Sequence, residues 1–515
     1  MKMFDNCINF KLIGIAFLLS LGIKNGYSQK KQPNIVIIIS DDHSYQTIGA
    51  YGSKLVKTPN IDRIANEGVT FKKAYVTNSI CGPSRAVILT GKYSHINGFK
   101  DNETSHFDHS QDMFVKHLKA DGYQTAWIGK QHLGNRTEGF TYYTILPEQG
   151  DYYNPEFIKM DGTKEKTEGY VTNIIEDKAE DWLDQRDQSK PFCLVIGHKA
   201  THRTWIPDTA DFALYDNVKF PLPPTFYDDY QSRKAAGLQE MEVGRDLIMG
   251  YDLKMLSYSP KGESMINRMN PAQRAKFDAH YQPIEADLKA RNLSGKALAE
   301  WKYERYMRDY ASTVASLDRN IGRTLNYLDK HNLNKNTVVI YLSDQGFYMG
   351  EHGWFDKRWM YEESFRTPMV MRYPGVVKPK SINENMVLNL DIAPTMLDIA
   401  GLAIPKAMQG ESFLPLINGK AKKGRDAIFY HYYENGEHAV SPHFGIRTKK
   451  YKLIRFYKRV EGWELYDLEK DPRELHNVYD DKTYQALIPK LKTRLDQLIE
   501  QYKDTDARKI LDQNK

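Results

Sequence analysis

Ile35-Val36-Ile37-Ile38-Ile39, running straight into Ser40-Asp41-Asp42-His43, is the stretch on which the fold depends. Five consecutive β-branched residues have no polar face, so they read as a strand buried on both sides, as in a parallel sheet covered by helices. Three other runs repeat the pattern. Thr125-Ala126-Trp127-Ile128 leads into Gly129-Lys130-Gln131-His132, and Phe192-Cys193-Leu194-Val195-Ile196 leads into Gly197-His198-Lys199-Ala200-Thr201-His202. Val338-Val339-Ile340-Tyr341-Leu342 leads into Ser343-Asp344-Gln345-Gly346. Helical stretches at 59–67, 111–120 and 309–330 separate them; in the last, Val314, Leu317, Ile321, Leu325 and Leu328 recur at helical spacing. This alternation predicts an α/β domain with a mostly parallel central sheet flanked by helices. Ligands bind such sheets beyond the carboxyl ends of the strands, and four strands here deliver acids, bases or cations to that edge.

Cys81-Gly82-Pro83-Ser84-Arg85, continuing as Ala86-Val87-Ile88-Leu89-Thr90-Gly91, places a thiol at the mouth of a short buried helix stopped by glycine. Free backbone N–H groups at that mouth, with Arg85 one turn further on, favour negative charge and predict a lowered thiol pKa. Small-residue packing is the plainer reading of the same cysteine. Only Cys7, Cys81 and Cys193 occur, and Cys193 falls inside an apolar run, so no disulfide framework is expected. Asp41, Asp42 and Asp344, with the Gln345 amide, offer hard oxygen ligands that suit Ca²⁺ or Mg²⁺ better than softer metals. Helix capping is the alternative for such Ser-Asp pairs. Lys130, His132, His202 and Lys357 suit the binding of a tetrahedral oxyanion and the movement of protons.

The 515 residues suffice for one large domain and a smaller one. Lys and Arg number 72 against 66 Asp and Glu, and the surplus is spread along the chain. No basic block suggests nucleic acid as a partner, while anionic small substrates are tolerated. Residues 1–28 read as a secretory signal: Lys2 and Lys11 precede an apolar run, 12–23, shorter than the roughly 20 residues of a spanning helix. Cleavage near Gln29 and a periplasmic or secreted location are expected, without a membrane anchor, since no Cys follows the apolar run. Residues 29–424 then form the main domain, with a helical insertion at about 205–308 over the sheet edge as lid or substrate wall. From 425 to 515, a hairpin, a further strand and a terminal helix at 482–502 predict a smaller α+β subdomain with an antiparallel sheet.

The segment from Cys81 to Gly91 resembles the sulfatase signature, Cys-x-Pro-Ser-Arg-x-x-x-Leu-Thr-Gly. The chain is similar to type I, formylglycine-dependent sulfatases of the alkaline-phosphatase-like superfamily, with motifs from residue 33 to about 475. The region from Asp344-Gln345-Gly346-Phe347 to Tyr361-Glu362-Glu363-Ser364 resembles bacterial carbohydrate sulfatases. These act on mucin or glycosaminoglycan sulfate esters of N-acetylglucosamine, galactose or N-acetylgalactosamine.

The resemblance implies that a maturation enzyme oxidises Cys81 to formylglycine (3-oxoalanine), whose hydrate attacks sulfur through one hydroxyl and expels sulfate by collapse of the other. It implies one Ca²⁺ held by Asp41, Asp42, Asp344, Gln345 and the modified Cys81, and a sulfated carbohydrate as substrate. Arg85 would orient the hydrate, and Lys130 and Lys357 would neutralise sulfate oxygens. His132 would take the proton in the collapse, and His202 would protonate the leaving sugar oxygen. Departures from the family pattern are Gln131 in place of Trp, Thr201 in place of Pro and Gln345 in place of Asn. His198, Lys199, His352, Trp354, Arg358 and His95 are candidate sugar contacts, with ordinary packing as the alternative for each. A phosphoesterase or phosphonate hydrolase on the same fold, or an inactive glycan-binding homologue, are the rival functions.

Overall fold

In the computed structural model, which describes residues 32–513, the first apolar run is the centre of the molecule. The expected signal segment, residues 1–28 with Cys7, lies outside the described residues. In chain order the first strands are β1 (Asn34–Ser40), β2 (Val69–Phe71), β3 (Ala74–Tyr75), β4 (Gln124–Lys130), β5 (Tyr142–Leu146), β6 (Glu156–Lys159), β7 (Lys164–Lys166) and β8 (Phe192–Gly197). They are followed by β9 (Thr337–Ser343), β10 (Met369–Arg372), β11 (Ser381–Asn383) and β12 (Val387–Leu388). Ten of these form one sheet in the order β11-β2-β10-β9-β1-β8-β4-β5-β6-β7, while β3 and β12 pair with each other. The four runs that end in reactive residues are the adjacent strands β9, β1, β8 and β4, and all three pairings among them are parallel. Their reactive ends therefore lie side by side: Ser40 pairs with Ser343, and Gly129 and Ile39 both pair with Gly197.

β1 is buried along its whole length, and its side chains alternate between two cores. Ile35, Ile37 and Ile39 pack with Ala86, Phe114 and Met396, from helices Cys81–Thr90, Phe114–Ala120 and Ile392–Ala400. Val36 and Ile38 face the opposite side, with Ile61, Ile175 and Leu317 from helices Pro59–Asn66, Val171–Gln185 and Gly295–Lys330. Near the site edge, β4 and β8 approach too closely for side chains. A Cβ on Gly129 would lie 2.2 Å from the Gly197 carbonyl oxygen, and one on Gly197 would lie 2.1 Å from that of Lys130.

The stretch expected to be a helical insertion is helical only in its second part. Residues 205–262 carry turns and short 3-10 segments, and long helices begin at Pro271–Arg291 and Gly295–Lys330. The irregular part is held by backbone bonds to the chain beside the site. Phe355 donates to Met241, Val243 to Gly353 and Glu240 to His438. The C-terminal strands β13 (Ala427–Tyr432), β14 (His443–Thr448), β15 (Tyr451–Phe456) and β16 (Gly462–Asp467) form an antiparallel sheet in that order. Helix Ile488–Tyr502 packs on it through Leu491, Leu495 and Leu498. That helix starts later than the expected 482, with Pro489 in its first turn, where a missing N–H costs nothing. No described helix is long and apolar enough to cross a membrane.

Candidate active site

The cleft at the strand ends has a volume of about 330 Å³ and is lined by Cys81, Asn102, Glu103, Gln149, His202, Arg203, Tyr251 and Lys357, among others. Cys81 is the first residue of its helix, which ends at Gly91 in a left-handed conformation. Its sulfur, an Asp41 carboxylate oxygen and a ring nitrogen of His202 all lie within 4.8 Å of one another. One carboxylate oxygen from each of Asp41, Asp42 and Asp344 meets the same criterion. The strand ends that deliver these groups are tied together. Asp41 N–H donates to the Ala200 carbonyl (3.1 Å), Thr201 N–H to the Asp41 carbonyl (2.6 Å), and Tyr310 OH to the Asp42 carbonyl (2.6 Å). Asp42, His132, Asp356 and Arg358 have φ of 62°, 59°, 75° and 89°, so the chain accepts sparsely populated backbone to aim them.

Arg85 is wholly buried. Its Nε donates to Asp344 Oδ2 (2.8 Å) and its Nη1 to the Lys130 carbonyl (2.7 Å), joining the helix to two strands. Lys130 Nζ contacts Asp41, and Lys357 Nζ donates to Asp42 Oδ2 (2.7 Å). His202 Nδ1 faces the Arg203 carbonyl (2.6 Å), so it donates there, and Nε2 stands 3.9 Å from Asp42 Oδ2. His132 Nε2 is 3.3 Å from the Gln149 amide nitrogen. The structure thus gathers Asp41, Asp42, Cys81, Arg85, Lys130, His132, His202, Asp344, Gln345 and Lys357 at one strand edge.

The electrostatics call for a cation. Burial, with Asp41 and Asp344 nearby, raises Asp42 to about 7 despite Lys357. Burial and Asp41 raise Asp344 to about 6. Burial also works to raise Asp41, but Lys130, His202 and Arg85 hold it well below the usual carboxylate range. Asp41 Oδ1 and Gln345 Oε1 are buried without a hydrogen-bond partner. Converging carboxylates with orphaned hard oxygens fit one divalent cation. The expected lowering of the Cys81 thiol is overturned: burial and Asp41 push it well above the ordinary thiol range, outweighing Lys357 and Lys130. An unmodified Cys81 is therefore a poor thiolate nucleophile here. Burial and Lys130 hold both His132 and His202 well below the usual imidazole value, so both rest neutral.

Of the candidate sugar contacts, Arg358 lines the cleft, its Nη1 donating to Glu434 Oε2 (2.7 Å). Lys199 stands behind the wall, donating to the Gln149 carbonyl (3.1 Å). The other four lie away from the residues that line the cleft. His198 is fully buried, and burial lowers it to about 3. His352 turns back to Asp228 (2.7 Å), and the Trp354 indole N–H donates to Tyr230 OH (2.8 Å) within an aromatic cluster with Trp359 and Tyr361. His95 faces the Tyr502 carbonyl (2.8 Å) and Tyr433 OH (3.1 Å), in the seam with the terminal helices. Trp354 and His95 spend their polar atoms within the protein, whereas both ring nitrogens of His198 and Nε2 of His352 are buried without a hydrogen-bond partner. The cleft residues missed in sequence, Asn102, Glu103, Gln149, Arg203, Tyr251, Glu437 and His438, sit on irregular segments without periodicity; only Arg203, next to His202, had a neighbour that pointed to it.

Comparison with known proteins agrees with this geometry. A family model described as Sulfatase matches residues 33–402, and one described as N-sulphoglucosamine sulphohydrolase, C-terminal, matches residues 350–501. The chain is 45% identical over 493 residues to an N-acetylglucosamine-6-O-sulfatase of Bacteroides thetaiotaomicron, covering 93% of this chain and 88% of that protein. It is 27% identical over 451 residues to an N-acetylglucosamine-6-sulfatase of Capra hircus, covering 82% and 70%. A solved structure of a protein in complex with its substrate D-glucosamine-2-N,6-O-disulfate matches with a TM-score of 0.89 and 45% identity, covering 92% of this chain and 99% of that one. A phosphonate monoester hydrolase of Agrobacterium radiobacter matches with a TM-score of 0.64 at 19% identity over 91% and 96%, a likeness of fold alone.

Proposed function

We propose, from the premise that this chain belongs to the sulfatase family, whose members hydrolyse sulfate esters, that it removes the 6-sulfate of a terminal N-acetylglucosamine or N-sulfated glucosamine. The family generally uses a formylglycine and a divalent metal. In this reading Cys81, oxidised by a maturation enzyme, carries the nucleophilic hydroxyl. Asp41, Asp42, Asp344 and Gln345, with the modified Cys81, hold a calcium ion, which supplies polarisation of a sulfate oxygen.

The remaining chemistry belongs to the side chains. Lys130 and Lys357, now spent on Asp41 and Asp42, are the donors available to sulfate oxygens once a cation takes those carboxylates. Arg85, held rigid by Asp344 and the Lys130 carbonyl, fixes position 81 against the cation ligands. His202 becomes the acid for the leaving sugar oxygen when it carries a proton on Nε2, because the Arg203 carbonyl already takes Nδ1–H. His132 is the base on the other side, accepting the hydroxyl proton that releases sulfate. We also propose that the protein works in the periplasm or outside the cell after loss of its leader.

The observation that carries this reading is the meeting of Cys81, Asp41 and His202 at the helix mouth, beside two further carboxylates. The test is a panel of defined sulfated monosaccharides, assayed for released sulfate with protein matured in competent cells and the Cys81 peptide checked by mass. Turnover of 6-sulfated glucosamine derivatives is expected. A fully modified Cys81 peptide with no sulfate released from any of them would refute the reading.

A further inference from the structure

Five strands, not four, present residues at the site edge. β5 is parallel to β4, and the turn after it is closed by Gly150 N–H donating to the Pro147 carbonyl (2.8 Å). That turn carries Gln149 into the cleft beside Cys81. The Gln149 amide oxygen accepts from Lys130 Nζ, and its amide nitrogen lies 3.3 Å from His132 Nε2. Behind it, Lys199 donates to the Gln149 backbone carbonyl (3.1 Å) while lying 4.9 Å over the Tyr152 ring. The turn is therefore braced from inside the protein.

Hydrogen-bond chemistry leaves this amide one orientation. An ammonium has only hydrogens to give, so Oε1 faces Lys130 and the NH₂ group faces His132. A ring nitrogen opposite a donor must accept. His132 Nδ1 makes no hydrogen bond with the described residues, so nothing on that side competes to choose the tautomer. We infer that Gln149 is a positioning residue: it holds His132 as the neutral imidazole with its proton on Nδ1 and its lone pair on Nε2. The inference rests on the sulfatase reading for the step it serves. In that step the hydroxyl proton moves to Nε2, the bonding pair stays on oxygen, and His132 becomes singly positive. At 3.3 Å the amide contact is long, and an incoming hydroxyl replaces it at little cost.

The decisive variant is Gln149→Glu, which keeps the shape and the acceptor for Lys130 but turns the donor facing His132 into an acceptor. It selects the proton on Nε2, the form with no lone pair there. Gln149→Ala merely leaves room for water. In ¹⁵N-histidine-labelled protein with unmodified Cys81, the His132 resonances (assigned by their loss in His132→Asn) should report Nδ1–H in the wild type and Nε2–H in Gln149→Glu. In matured enzyme, Gln149→Glu should lower kcat on the order of 100-fold, the low end of what a positioned general base contributes, and Gln149→Ala by clearly less, with little change in KM. A wild-type spectrum showing Nε2–H, or a Glu variant no worse than the Ala variant, overturns the inference. Should the matured wild type release no sulfate, the sulfatase reading fails while the tautomer result still decides the role of Gln149.

Discussion

Removing the divalent cation should destabilise this protein far more at pH 8 than at pH 5, and the size of the effect follows from Asp42 and Asp344. In the folded chain without a cation they titrate near 7 and 6, against about 3.9 in an unfolded chain. A carboxylate with a raised folded pKa binds its proton more tightly when folded, so between about pH 4 and pH 7 the folded state holds more protons. The metal-free protein therefore loses stability as pH rises through that window. Each tenfold difference in proton affinity is worth about 1.4 kcal/mol, which places the combined loss on the order of 7 kcal/mol; Asp41, whose pKa is lowered, titrates below this window and leaves the loss unchanged. A divalent cation binds the ionised acids and offsets part of the loss, contributing about 2.7 kcal/mol at a concentration 100 times its Kd. With roughly 2 cal/mol/K of unfolding entropy per residue over about 480 residues, 1 kcal/mol moves Tm by about 1 °C. Thermal unfolding at a fixed scan rate, in chelator or in excess calcium, should then differ by about 3 °C at pH 8 and hardly at all at pH 5. An equal calcium shift at both pH values, or none at pH 8, would refute the reasoning. The Asp42→Asn/Asp344→Asn double variant should abolish the shift.

Three substitutions test the division of labour in the site. Cys81→Ala should abolish sulfate release while costing no more than about 2 kcal/mol of stability, since one small buried group is lost; an unfolded variant by circular dichroism would instead support a packing role. Lys130→Ala should lower kcat more than tenfold through lost charge stabilisation, and a smaller loss would contradict its place beside the sulfate. His202→Ala should lower kcat by about 10²–10⁴ on a sugar sulfate but much less on an aryl sulfate with a good leaving group. Equal losses on both substrates would remove the acid role.

The central layer of this molecule is legible in its sequence because buried parallel strands leave unbroken apolar runs, as in Ile35 to Ile39. The strands that flank it are not. Glu156-Phe157-Ile158-Lys159 and Lys164-Glu165-Lys166 are short and charged, and nothing separates them from loop. The same division holds in the site. Residues at strand ends, such as Lys130 and Asp344, inherit their position from the strand. Gln149 and His438 are placed by turns that leave no periodic mark. Adjacency also misleads, because it does not say which way a side chain points: Trp354 lies three residues from Lys357, yet its ring is buried against Tyr230, Trp359 and Tyr361. The thiol pKa fails for a related reason. A sequence displays the helix mouth and Arg85, but not the depth at which both are buried.

The tie between Arg85 and Asp344 spans 259 residues of chain, and its consequence is temporal. Cys81 is 1% exposed in the finished fold, so its side chain is out of an enzyme's reach once the chain has closed around it. A ribosome adding roughly 5–20 residues per second needs roughly 13–50 seconds to travel from the one position to the other. If Cys81 is oxidised as proposed, the oxidation must be completed within that interval, or on a chain kept open after synthesis, and a copy that closes first would stay in the inert form.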